Sequence, residues 1–142
     1  MITSEYIIGL VDGEGSFTIY IRNPKDISSR KRRVKAEPKF YLKLIEKDKK
    51  ILYQLKNYFG CGNVYFQKDN RKNHQHCYRY EVGKQKDLEE IIIPFFIKNQ
   101  LKFPSKQKDF KIFCNLMEMI KKGDHLRKKS LQKMYFLKQK MH

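Results

Sequence analysis

The apolar positions at the start of the chain change from helical to alternating spacing, and the change falls at a cluster of glycines. Thr3 or Ser4 can cap a helix running through Glu5-Tyr6-Ile7-Ile8-Gly9-Leu10-Val11-Asp12, with Glu5 in the first turn, where the helix dipole favours an acid. That helix stops in Gly13-Glu14-Gly15. Gly9 and Gly13 lie four apart, leaving bare backbone on one face that a second helix could approach closely. Helix termination explains Gly13 and Gly15 but not Gly9, because a mid-helix Gly costs about 1 kcal/mol relative to Ala.

Ser16 to Arg22 then alternates, with Phe17, Ile19 and Ile21 on one face and Thr18, Tyr20 and Arg22 on the other, the signature of a half-buried strand. After a polar, basic loop over residues 23–34, Lys39, Tyr41 and Lys43 alternate with Phe40, Leu42 and Leu44 in a second strand. Asp48 can cap a helix whose apolar residues Ile51, Leu52, Leu55, Tyr58 and Phe59 keep helical spacing up to Gly60. A second hairpin follows: Val64 and Phe66 lead into the tip Lys68-Asp69-Asn70-Arg71-Lys72-Asn73, and Tyr78, Tyr80 and Val82 return. Asp87 to Ile93 reads as a short helix ended by Pro94. Ser105 can cap a long one with Phe110, Phe113, Leu116, Met117 and Ile120 on one face, and His125 to Met141 reads as a final basic helix.

The order αββαββα plus further helix predicts an α+β fold, one domain over residues 1–142, with both hairpins in one sheet. One sheet face is apolar and meets the helices. The other carries Thr18, Tyr20, Arg22, Lys39, Tyr41, Lys43 and, from the second hairpin, Arg79. Ordinary solvation would make that face polar; its cationic bias suits nucleic acid.

Charge supports this. The chain has 32 Lys and Arg against 15 Asp and Glu, a formal +17, which attracts polyanions strongly. Residues 1–21 hold no base, whereas twelve fall between Arg22 and Lys50, including Arg30, Lys31, Arg32, Arg33 and Lys35. These bases interleave with Tyr, Asn, Gln and His along strand-like segments rather than lining one amphipathic helix, so nucleic acid is favoured over an anionic membrane surface. The hairpin tip adds Lys68, Asn70, Arg71, Lys72, His74 and His76 as contacts. His74-x-His76-Cys77 could be imagined as a metal cluster, but without a fourth ligand nearby a polar contact surface is favoured. No apolar run is long enough to span a bilayer, and the N-terminus reads as neither signal nor transit peptide. Three cysteines at wide spacing fit neither a disulfide framework nor a zinc site; a reducing compartment, prokaryotic cytoplasm or organelle, is expected.

Ile7-Ile8-Gly9-Leu10-Val11-Asp12-Gly13-Glu14-Gly15 resembles the single signature motif of the LAGLIDADG homing endonucleases, with Ile7-Ile8 in place of Leu-Ala and Glu14 where many members have Asp. The αββαββα order, the segment Pro104-Ser105-Lys106-Gln107-Lys108-Asp109-Phe110 and the ending Gly123-Asp124-His125-Leu126 extend the resemblance over most of the chain. The resemblance implies a site-specific double-strand DNA endonuclease with saddle-shaped antiparallel sheets along the major groove of a long, pseudo-palindromic target. One motif copy implies a homodimer, with Ile7, Gly9, Leu10 and Gly13 at the helix contact. It implies Mg²⁺ or Mn²⁺ held by Glu14 and the Gly13 carbonyl, Lys106 polarising water or stabilising phosphate charge, and Glu46 orienting solvent. Glu46 can equally be a first-turn acid of the following helix. Asp12 is either structural or a metal contact, and Lys49 or Lys50 would supply a nearby base. The alternative in a different class is a group I intron maturase, with intron RNA as partner and weak or no cleavage. Retained acids beside a phosphate-binding surface favour the enzyme, since a pure binder would gain affinity by losing them.

Overall fold

A computed structural model describes residues 2–25 and 35–142. Arg30, Lys31, Arg32 and Arg33 lie outside the described residues. Helix α1 (Ser4–Glu14) starts at Thr3, whose hydroxyl accepts the Tyr6 N–H at 3.2 Å. It passes without a loop into β1 (Gly15–Ile21). Gly15 makes that junction possible: a Cβ there would lie 2.6 Å from the Val11 Cγ1 and 3.0 Å from the Val11 backbone. Strand β2 (Ala36–Ile45) returns antiparallel to β1, pairing Gly15 with Leu42 and Thr18 with Lys39.

A 3₁₀ turn over Glu46–Asp48 leads into α2 (Lys49–Phe59), and Gly60 closes that helix in the left-handed conformation. Strands β3 (Asn63–Gln67) and β4 (Cys77–Val82) form the second hairpin. The open, fully antiparallel sheet has the order β1-β2-β4-β3, so β2 and β4 are its central strands. Beyond it come α3 (Gln85–Asp87), a π-helical turn (Leu88–Ile92), α4 (Ile93–Lys98), α5 (Pro104–Lys121) and α6 (Lys128–Lys138).

The alternation in the strands sets the core. Phe17, Ile19, Phe40, Leu42, Tyr80 and Val82 are buried on one sheet face, beneath Ile7 and Val11 of α1, Leu52 and Leu55 of α2, and Phe113 and Leu116 of α5. Phe17 sits among the rings of Phe40, Phe96, Phe110 and Phe113, with centroids 5.1 to 5.4 Å away.

Three local expectations are corrected. Pro94 does not end its helix. The Ile93 N–H reaches back to the Leu88 carbonyl, and this wider π turn makes room for a ring that cannot donate and would crowd the carbonyl four residues back. Neither Asp48 nor Ser105 acts as an N-cap through its side chain. Asp48 occupies the cap position without a side-chain bond, and α5 begins one residue before Ser105, at Pro104, whose missing N–H needs no partner there. The last helix starts at Lys128, after a 3₁₀ turn over Asp124–Leu126.

Candidate active site and nucleic-acid face

The C-terminal end of α1 gathers the acidic part of the site. Asp12 is only 3% exposed, and its carboxylate accepts the Lys102 N–H at 3.0 and 3.1 Å and the Phe103 N–H at 3.1 Å. Asp12 is therefore structural: it pins the segment that enters α5 to the end of α1. One turn into α5, Lys106 donates its ammonium to the Gly15 carbonyl. Segments ninety residues apart in sequence thereby meet, and Lys106 reaches the backbone of the residue that follows Glu14, the exposed last residue of α1.

The donors here suit a hard divalent cation. The Glu14 carboxylate and the carbonyls of the last helical turn, Gly13 among them, are oxygen ligands at the negative end of the helix dipole, and that turn contains no base. Among the described residues no group of three or more His, Cys, Asp or Glu is placed to hold a metal ion.

Glu46 opens the 3₁₀ turn with an exposed side chain, and its N–H donates to the His76 carbonyl at 3.0 Å. It stands four residues past the Gly15–Leu42 pair, at the Glu14 end of the sheet, while Lys106 alone of the candidates is tied directly to the α1–β1 junction.

The proposed contact face of α1 needs one correction. Ile7 is fully buried in the core, so it has no surface to offer a partner. Leu10 is half-buried against that core. The outward face instead carries Tyr6, which is 50% exposed, together with Gly9 and Gly13. A Cβ added at either glycine would meet nothing within 4 Å, so packing within this chain requires neither.

The polar sheet face is built as its alternation implies, but with acids in its middle. Thr18, Tyr20, Lys39, Tyr41 and Arg79, with Lys138 of α6, border a depression of about 370 Å³. Lys39 lies 3.7 Å from Glu37 and 3.8 Å from Glu81; Arg79 reaches Glu81 at 2.9 Å and stacks its guanidinium over the Tyr41 ring, 3.6 Å from the centroid. Sequence reasoning missed Glu37, Glu81 and Lys138. The two Glu occupy the polar parity of β2 and β4, which is a usable signal; Lys138 depends on how α6 docks.

At the hairpin tip several expected contacts hold the tip itself together. Arg71 donates to both Asp69 carboxylate oxygens, at 3.0 and 2.7 Å, and that hydrogen-bonded guanidinium holds the Asp69 carboxyl well below the usual carboxylate range. His76 Nδ1 accepts the Asp69 N–H at 3.0 Å and is thereby engaged within the tip. His74 lies 3.8 Å from Asp69, while Lys68, Asn70 and Lys72 are exposed. Arg22 and Lys35 bridge the first hairpin through an N–H to carbonyl bond of 2.8 Å. All three cysteines are free thiols; burial pushes Cys114 up to about 11, and burial likewise raises Cys61. Among the described residues no helix is long and apolar enough to cross a membrane.

An open antiparallel sheet of four strands, polar and basic on one face, beside an acid-tipped helix with a bare glycine surface is the architecture of homing endonucleases. The structure of I-TnaI superposes with a TM-score of 0.79 at 30% identity, covering 99% of this chain and 88% of that one. I-GzeII, solved in complex with its DNA target, superposes at 0.82 with 27% identity over 100% of this chain and 44% of that one. Residues 7–117 match the model of the LAGLIDADG endonuclease family, and the chain belongs to that family. A probable intron-encoded endonuclease of Neurospora crassa is 31% identical over 134 residues, 94% of this chain; the chain spans about a quarter of that relative's length.

Proposed function

We propose that two copies of this chain form a divalent-metal-dependent, site-specific DNA endonuclease that cuts both strands of a long, pseudo-palindromic target. The observation that carries this reading is the outward face of α1. Gly9 and Gly13 leave it bare without serving any contact among the described residues, and the helix that carries them ends at Glu14. Packing α1 against its symmetry mate through that strip would bring two Glu14 carboxylates together at a twofold axis, the closed arrangement a self-complementary surface generates. Coverage of 44% of the DNA-bound I-GzeII chain is consistent with two units of this size forming one DNA-binding body.

Within the dimer, Glu14 and the Gly13 carbonyl would hold Mg²⁺ or Mn²⁺, which supplies charge neutralisation and Lewis acidity toward the phosphodiester. Lys106 keeps one N–H on the Gly15 carbonyl and turns its remaining donors to the scissile phosphate or its attacking water, stabilising charge as it develops. Asp12 keeps Lys106 in place by fixing the turn into α5. Glu46, exposed at the same end of the sheet, orients solvent toward the phosphate. Lys39, Lys43, Lys68 and Lys72 neutralise backbone phosphates, and the central sheet residues face the base edges of the major groove.

Two measurements test the reading together. Sedimentation of the protein should give twice the mass of one chain, and incubation with a randomised duplex library in Mg²⁺ should release ends clustered at one sequence. A monomer that cuts unaided contradicts the dimer. Intron RNA splicing without DNA cleavage would replace the nuclease by a maturase.

A further inference from the structure

We propose that Arg79 reads a guanine in the target and that Glu81 and Tyr41 are positioning residues that hold its guanidinium ready to do so. This rests on the DNA-binding reading above and deepens it to one base and one side chain.

The placement follows from register. On the central strands Arg79 of β4 stands directly opposite Lys43 of β2, while Glu81 stands directly opposite Tyr41. Like charges directly opposite repel, so Arg79 leans diagonally toward the next pair, where it finds the Tyr41 ring face at 3.6 Å and the Glu81 carboxylate at 2.9 Å. A guanidinium between a ring plane and a carboxylate has its plane and its reach fixed before any ligand arrives. Its Nε is buried with no hydrogen-bond partner and the Glu81 carboxylate lies against Nη2, and a guanidinium carries five donors, more than that one contact uses.

Two further observations separate this from an ordinary surface ion pair. Arg79 is the only Arg in the described strands; the other cations there, Lys39 and Lys43, are flexible point charges suited to phosphate. A planar fork on a central strand suits the paired acceptors O6 and N7 of guanine, the commonest specific contact in the major groove. Glu81 also has a cost on this face, because a carboxylate weakens phosphate binding. Holding Arg79, and with it Lys39 at 3.8 Å, is a function that offsets that cost.

The test is selection of bound duplexes from a randomised library at fixed salt, by the full chain and by two variants. Wild type should show a guanine preference of roughly five- to hundredfold at one position of each half-site, the range of a good bidentate pair. Arg79→Lys keeps the charge but loses the fork, and should lose the preference at that position while other positions keep theirs. Glu81→Gln should weaken the preference at the same position to less than about half its wild-type value while total DNA binding rises, because a charge that repels phosphate is gone. An unchanged base profile in Arg79→Lys overturns the assignment of the reader. An Arg79→Lys loss with an unchanged Glu81→Gln profile overturns the positioning role. If wild type retains no DNA, the underlying DNA-binding reading fails instead, and this inference fails with it. Thermal melting of both variants shows whether any loss comes from unfolding, which would erase every position's preference and not one.

Discussion

Replacing Gly9 by Ala should strengthen the isolated chain and weaken its self-association, two effects of opposite sign from one methyl group. In the single chain the added Cβ meets nothing within 4 Å, so only helix propensity changes, and the folded state should gain about 0.8–1 kcal/mol. Across a twofold helix contact the same methyl enters twice. At about 1–3 kcal/mol for each overpacked group, the dimer should lose about 2–6 kcal/mol, or about thirtyfold to twenty-thousandfold in dissociation constant. Urea unfolding at several protein concentrations separates the two. The wild-type midpoint should climb with concentration, because association stabilises the folded form. The Gly9→Ala midpoint should be flat, and at the lowest concentration it should lie above wild type by roughly 0.5 M, taking a slope of about 2 kcal/mol/M. Sedimentation equilibrium then gives the dissociation constants directly. Unchanged dimerisation in Gly9→Ala would refute the close helix contact, and destabilisation of the monomer would mean that the glycine serves some contact within the chain.

Gly15→Ala, in contrast, should destabilise the chain by about 1–3 kcal/mol, since its Cβ would lie 2.6 Å from Val11, and a urea midpoint at or above wild type would contradict this. Asp12→Asn replaces a charged acceptor of two backbone N–H groups, and should cost about 1.5–3 kcal/mol in unfolding free energy. Its cleavage rate should fall further than its DNA binding, because Lys106 loses its anchored approach; equal losses would count against that link. At the hairpin tip, Arg71 depresses the folded pKa of Asp69, so the tip's stabilisation is present above the unfolded value of about 3.9 and is lost as pH falls through the lower folded value. Arg71→Gln should raise the Asp69 carboxyl titration part of the way back toward the ordinary carboxylate range, because the residue-71 backbone N–H still donates to that carboxylate at 3.0 Å, and an unmoved NMR titration curve would rule out the Arg71 side chain as the main cause.

Much of the fold could be read from period alone. The strand alternation of Phe17-Ile19-Ile21 and Phe40-Leu42-Leu44 returned both the pairing and the buried face, because a sheet with one covered face leaves a one-residue slip nowhere to go. Pro94 was misread since its local rule assumes an α ladder, and the chain adopts a π turn whose widening depends on packing around Leu88 and Ile92. Glu14 and Lys106 could be singled out from local sequence, although what brings their segments together, Asp12 on the 102–103 backbone, spans ninety residues and leaves no spacing to recognise. Ile7 shows the limit of a motif. It belongs to the signature helix, but only the docked structure shows that its side chain faces the core while Gly9 and Gly13 face out. Glu81 was passed over because its partner Arg79 lies two residues along the same strand, and its meaning appears only when Tyr41 comes alongside from β2.

The most direct test of the nuclease assignment is Glu14→Gln, an exposed change at the end of α1 that removes the charge while preserving shape and hydrogen bonding. Cleavage of the selected target in Mg²⁺ should be abolished, while binding to the same duplex stays within a few-fold of wild type and the mass in sedimentation stays that of a dimer. Robust cutting by this variant would contradict the placement of the metal and of the chemistry at the helix end.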